Sequence, residues 1–390
     1  MSAALAQAPS PEATVLAHAR LVLADRVIED GWLAIEDGRI AEIGEGRPPE
    51  AGRDLGGDFL IPGLVELHTD HLETHYVPRP KVQWHALGAV LAYDAQIAAS
   101  GITTVFDSLR VGAESDSAAV GVQVRTLAAA IEVARTAGFL RAEHRTHLRC
   151  ELPAGDMLAQ LAAFRERFPV HMASLMDHTP GERQYRDVEV WKRHSKRRAE
   201  FGDHGLDEYL ARRRQDHLTH AAPHRRALVA QAREAGIALA SHDDATLDQV
   251  AESAADGVSI AEFPVTIEAA RASHAAGIKV MMGAPNLVRG GSHNGNIAAE
   301  ALAREGLLDI LSSDYVPASL MMAAFELPVR VPSLDLAAAI RTVTATPAEA
   351  VGLTDRGTLA PAKRADLVRV HLSAGVPVVR QVWREGRVVA

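Results

Sequence analysis

LIPGLVELHTDHLE, Leu60 to Glu73, is the stretch on which the reading of this chain turns. Leu60, Ile61, Leu64, Val65 and Leu67 make a short apolar run interrupted by Pro62-Gly63, which suits a strand entering a core after a tight backbone turn. The run stops at His68-Thr69-Asp70-His71, with Glu66 before it and Glu73 after it. Side chains at i and i+2 of a strand share a face, so His68 and Asp70 can converge on one point. An imidazole and a carboxylate placed so are suitable ligands for a zinc-like cation. A solvated strand end explains a single His-x-Asp equally simply, so the weight falls on the rest of the chain.

The outward reading begins with strand-helix alternation. Further strands are expected at Thr103–Asp107, Arg145–Glu151, Val170–Asp177, Ile237–His242, Ser259–Phe263, Lys279–Gly283 and Asp309–Asp314. Helices are expected between them, the clearest at Ser117–Thr136, Ala154–Arg167, Ala245–Ala254 and Thr266–Ala276. Eight strands alternating with helices predict an α/β fold of the (β/α)8 TIM-barrel type, rather than an open doubly wound sheet, since no glycine-rich dinucleotide turn follows the first strand. At the termini, Thr14 to Glu45 and the segments ADLVRVHL and VVRQVWREGRVVA read as short strands, with turns at Asp37-Gly38 and Glu385-Gly386. They predict a small composite β-sandwich domain built from both chain ends. The expected organisation is a tail at 1–13, the small β domain at 14–58 and 352–390, and a barrel at 59–351. Arg186 to Gly236 breaks the rhythm with a polar, arginine-rich excursion, read as solvated helices or a partner-facing lid.

Composition narrows the class. The 390 residues carry 47% hydrophobic and 23% charged side chains and a formal charge of −9, with only five lysines. That balance argues against nucleic-acid or anionic-membrane partners, while a local arginine cluster can still hold an anionic small molecule. Cys150 is the single cysteine, which excludes an intrachain disulfide and a cysteine-based zinc site. No apolar run approaches a membrane span, and the first residues lack signal-peptide character, so a cytoplasmic protein is expected.

Potential ligands recur where the strands end. Glu151 closes the third strand, with His147 and Arg149 on the same side; Asp177-His178, His242-Asp243-Asp244 and Asp314 close later ones. In (β/α)8 barrels the carboxyl ends of the strands form the active face. Five such sets of His, Asp and Glu point to a metal site. Asp243 and Asp244 are read either as groups that orient His242 or as a helix N-cap.

On these residues the chain resembles the amidohydrolase superfamily, whose pattern is a His-x-His on the first strand, a bridging Lys or Glu, two later histidines and a final Asp. IPGLVELHTD looks like its first-strand entry and GTLAPAKRADLVRV like its return to the small β unit. Asp70 stands where the second His is expected. No lysine sits at a strand's carboxyl end, which makes Glu151 the candidate bridge between two cations. The resemblance implies metal ligation by His68, Asp70, Glu151, His178, His242 and Asp314. It implies one or two divalent ions, zinc first and manganese as the alternative, with Asp314 as catalytic base.

Longer strings, YVPRPKVQW, RAEHRTHLRCELP, SLMDHTPGERQ, AEFPVT and above all MGAPNLVRGGSHNGN, resemble the diphosphatases of the carbon–phosphorus lyase pathway. That family's substrate, α-D-ribose 1-methylphosphonate 5-triphosphate, carries roughly five negative charges by phosphate ionisation. Hydrolysis would release pyrophosphate and leave the 5-phosphate. Arg289, Gly290, Gly291, Ser292, His293 and Asn294 form a glycine-rich loop after the seventh strand, a recurrent phosphate position in barrels. Arg79, Lys81 and Arg183 are further anion-binding candidates. The alternatives are hydrolysis of a C–N bond, of the dihydroorotase or deacetylase type, and a non-catalytic scaffold; a homo-oligomer stays open.

Overall fold

The computed structural model describes residues 14–112, 118–185, 188–194, 197–292 and 296–390. The expected tail at 1–13 lies outside them. The chain opens with β1 (Thr14–Val22), β2 (Val27–Glu36), β3 (Arg39–Glu45), β4 (Arg53–Asp54) and β5 (Phe59–Pro62). Eight strands follow: β6 (Leu64–Thr69), β7 (Ile102–Val111), β8 (Glu143–Glu151), β9 (Met172–Met176), β10 (Ala238–His242), β11 (Ile260–Glu262), β12 (Lys279–Gly283) and β13 (Ile310–Ser312). The chain ends in β14 (Leu367–Ser373), β15 (Val376–Arg384) and β16 (Arg387–Val388).

The terminal strands form one sheet in the order β16-β15-β14-β5-β1-β2-β3, with β4 on β1. Both chain ends build it, because β14 pairs antiparallel with β5. The turns at Asp37-Gly38 and Glu385-Gly386 have positive φ at both residues, the conformation that matches the twist of a two-residue hairpin. The stretch from Leu60 to Asp70 is divided at Gly63 between this sheet and the barrel. A Cβ on Gly63 would overlap the Thr103 side chain, so only glycine fits where the chain leaves one sheet for the other.

Strands β6 to β13 pair in sequence order, all parallel. The seam between β13 and β6 is closed by a parallel bridge from Thr69 to Asp314 and by the Asp314 N–H donating to His68 O at 3.1 Å. The buried Glu66 carboxylate spans the same seam, accepting from His68 N and from Ser313 N at 2.6 Å each. This is the TIM barrel expected from the alternation.

Residue parity explains what lies inside. Phe106, Met172, Ala240, Ile260, Met281 and Ile310 join Val65 and Leu67 in one buried cluster, while Leu239, Ala261, Val280 and Leu311 pack outward in the larger cluster shared with the helices. Two residues beyond that inner layer on β9, β10, β11 and β13 come Ser174, His242, Glu262 and Ser312. The same two-residue period that fills the barrel with apolar side chains thus sets a polar one above them on these four strands. Among the described residues no helix is long and apolar enough to cross a membrane.

Candidate active site at the carboxyl ends of the strands

Glu262 organises the centre of the barrel mouth. Its two oxygens meet His68 Nδ1 at 3.1 Å and His242 Nδ1 at 3.0 Å, and the two imidazoles stack at 5.7 Å. Burial opposes the charge on Glu262, but His68 and His242 outweigh it and hold the carboxyl well below its usual range. As an anion it accepts from both rings, which leaves the Nε2 atoms to face elsewhere. A carboxylate behind the Nδ1 of a histidine is the support that metal-ligating imidazoles ordinarily have. The Ser174 hydroxyl donates to the same carboxylate at 2.7 Å and lies against His147, which burial keeps neutral, with a pKa lowered to about 3.

His178, His242 and Asp243 form a second group whose ligand atoms lie within 4.8 Å of one another. Asp243 Oδ2 stands 3.4 Å from His242 Nε2 and 4.0 Å from His178 Nε2. It is buried and has no hydrogen-bond partner. An orphaned carboxylate oxygen between two imidazole nitrogens is the donor set a divalent cation requires. Asp243 has φ +58°, and Phe263 (φ +55°) and Asp314 (φ +53°) share that rare conformation at neighbouring strand ends. Such strain persists where surrounding structure over-determines it, and it concentrates at functional sites.

Glu151, at the end of β8, is fully buried and holds four hydrogen bonds. It accepts from His178 Nδ1 at 2.6 Å, His178 N at 2.9 Å, Arg110 at 3.1 Å and Arg213 at 3.3 Å. Burial raises its pKa, but His178 and Arg110 prevail and hold it far below the usual carboxylate range. Asp314 is different. Burial raises its pKa, against the opposing pull of His68 and Arg149.

Of the sequence candidates, His68, Glu151, His178, His242 and Asp314 are brought together at these strand ends. Asp70 lies just past β6, partly exposed, with Oδ2 on Arg149 at 3.2 Å. Arg79 and Lys81 are exposed in the loop after the helix His71–Tyr76. Arg183 is buried: it pairs with Asp244 and donates to His242 O at 3.4 Å, so its charge is already engaged inside the fold. Arg289 and Gly290 are exposed at the end of the helix Ala284–Arg289, with Gly290 as a left-handed cap; Gly291 and Ser292 follow, partly buried. His293 and Asn294 lie outside the described residues. His71 is turned away, its ring on Tyr315 O at 3.0 Å and on Gln96 at 3.1 Å. Neither Asp243 nor Asp244 caps the next helix; Thr246 does, in a capping box with Gln249.

Three site residues went unread in the sequence: Glu262, Arg110 and Arg213. Glu262 stands one residue short of the expected strand end, and its parity with Ile260 was the available signal. The 186–236 excursion is also more than solvated helices. Its helix Arg197–Asp216 carries Arg213 onto Glu151, and His217 just beyond donates to Asp177 at 2.6 Å.

A barrel with imidazoles and carboxylates at its strand ends, tied to a sheet of both termini, is the architecture of a metal-dependent hydrolase. The chain belongs to the amidohydrolase family, whose description matches residues 88–390. It is 44% identical over 380 residues, 96% of this chain and 99% of the relative, to the alpha-D-ribose 1-methylphosphonate 5-triphosphate diphosphatase of Escherichia coli (strain K12). Its fold is similar to that of N-acetyl-D-glucosamine-6-phosphate deacetylase from Mycobacterium smegmatis, at a TM-score of 0.63 and 20% identity over 97% of this chain and 100% of that one. It is likewise similar to 5-methylcytosine deaminase from Klebsiella pneumoniae, at 0.64 and 16% over 97% and 98%.

Proposed function

We propose that this chain hydrolyses α-D-ribose 1-methylphosphonate 5-triphosphate to α-D-ribose 1-methylphosphonate 5-phosphate and pyrophosphate, in phosphonate catabolism. The observation that carries the reading is 44% identity over 96% of the chain to a relative of that name. Hydrolysis of a C–N bond is not favoured by that relative.

His68, Asp70, Glu151, His178, His242 and Asp314 are the proposed donors to one or two divalent ions, with Asp243 added on its unpartnered oxygen. The mixture of nitrogen and oxygen donors suits zinc, with manganese second. When bound, such a cation acidifies a water and offsets charge developing on phosphoryl oxygens. The residues of the chain do the rest. Asp314, buried and raised in pKa, takes the proton of the attacking water. Glu262 fixes the tautomer of His68 and His242 from behind. Arg289 and the glycines after it hold an anionic end of the substrate, with Arg79 and Lys81 at the rim. The proposed substrate is a small anion held by local cations, and the reading takes the protein to act in the cytoplasm without a nucleic-acid or anionic-membrane partner, against which a net charge of −9 argues.

The test is pyrophosphate release from the ribose triphosphate by metal-loaded protein, with ATP as the comparison. Fast release from the ribose compound supports the reading. Release from neither compound, in protein shown to hold metal, removes it in favour of amides and cyclic imides.

A further inference from the structure

Arg213 is the largest fully buried side chain among the described residues, 1% exposed, and it comes from the excursion rather than from the barrel. One Nη donates to Glu151 Oε1; its Nε and its other Nη have no acceptor. Arg110, on β7, gives one Nη to Glu151 Oε2 at 3.1 Å and likewise keeps a buried Nε without a partner. Arg149, two residues before Glu151, reaches Asp70 at 3.2 Å and sets its Nε on the sulfur of Met176, a weak acceptor. Asp70 and Glu73 are the other carboxylates facing Arg110 and Arg149.

A buried guanidinium with unmet N–H groups is unfavourable until an acceptor fills them, and its planar fork matches carboxylates and phosphorus oxyanions, of which the proposed substrate carries the latter. The approach of Arg213 is fixed rather than incidental. His217 anchors the same segment to Asp177 at 2.6 Å, and a π-helical turn, His217–Ala221, begins there. Such turns recur at functional sites.

We propose that Arg213, with Arg110 and Arg149, forms a subsite for a tetrahedral phosphorus oxyanion at the β7–β8 side of the barrel mouth. This rests on the substrate class proposed above and deepens it. Arg289 follows β12, the seventh barrel strand, and Glu151 ends β8, the third. In a ring of eight, those positions face each other. A ribose with phosphorus groups at both ends therefore spans the mouth, one end at Arg289 and the other at Arg213. The excursion supplies the donor that makes a singly phosphorylated ligand a poorer fit.

The experiment measures binding of pyrophosphate and of methylphosphonate to the full-length, metal-loaded protein by calorimetry, in wild type, Arg213→Met and Arg213→Lys, with metal content assayed in each. Arg213→Met is expected to weaken one of the two probes about 10- to 100-fold, the range for a charge-assisted hydrogen bond. Lysine restores part of the loss, because it keeps the charge without the fork. The probe that suffers names the end of the substrate that Arg213 holds. Both affinities within twofold of wild type, with metal retained, overturn the subsite; so does a wild type that binds neither probe. If Arg213→Met loses its metal, Arg213→Lys decides alone, and affinities equal to wild type overturn the proposal. Turnover of the ribose triphosphate is read separately. Its absence removes the proposed function, whereas turnover with Arg213-independent anion binding removes only this subsite.

Discussion

Glu262 and His68 meet at 3.1 Å across the barrel mouth, although 194 residues separate them in the chain. The second Glu262 oxygen takes His242, so one carboxylate sets the orientation of two imidazoles. Glu262→Gln offers an acceptor to one ring and a donor to the other. Metal affinity is expected to fall about 10- to 100-fold, the range for losing a supporting carboxylate. Metal content after dialysis against a competing chelator measures it, and full retention would count against the role.

Asp314→Asn should lower kcat about 10²- to 10⁴-fold, the contribution of a general base. Asparagine tolerates the left-handed backbone at this position (φ +53°), so the fold should survive. Circular dichroism and metal analysis alongside turnover distinguish lost chemistry from lost structure. An enzyme with near-normal kcat would assign the base elsewhere.

Arg289→Ala should raise KM for the ribose triphosphate about tenfold or more, by loss of a charged hydrogen bond, with a smaller change in kcat. Initial rates against substrate concentration give both constants. Unchanged turnover would point instead to C–N hydrolysis, which has no need of that arginine.

His144 is buried between Asp107, at 2.9 Å, and Asp94, at 3.3 Å. Burial opposes its charge, but Asp107 and Asp94 prevail and raise its pKa from 6.5 to about 9. Below pH 6.5 folded and unfolded rings are both protonated, and the pairing contributes in full. As pH rises towards 9 only the folded ring keeps its proton, so the contribution, on the order of 3 kcal/mol, is lost progressively. Urea midpoints measured at about pH 6 and about pH 9.5 should fall in wild type and stay closer together in His144→Gln. Equal slopes in the two proteins would exclude His144 as the source.

Gly63→Ala places a methyl group on Thr103 at the junction of the two sheets. Overpacking of that kind costs typically ~1–3 kcal/mol. A fall in Tm of several degrees is expected, and an unchanged Tm would show that Thr103 moves aside freely.

What the sequence determined by itself was local and periodic. The alternation of strand and helix, the two glycine turns, and the polar residues that end the strands all follow from short-range pattern, because backbone sterics and a two-residue period act within a few positions. His68, Glu151, His178, His242 and Asp314 were legible for that reason. Tertiary structure alone decided which polar side chains face one another. Arg212, Arg213 and Arg214 are indistinguishable as text, yet only Arg213 is buried, because the helix is docked with that one face over Glu151. Arg183 reads as an anion-binding candidate, and its charge is instead enclosed by Asp244. Glu262 gives no sign in sequence that it joins His68 to His242. These pairings depend on strands and insertions distant in the chain, and a buried charge is tolerated only where such a partner arrives.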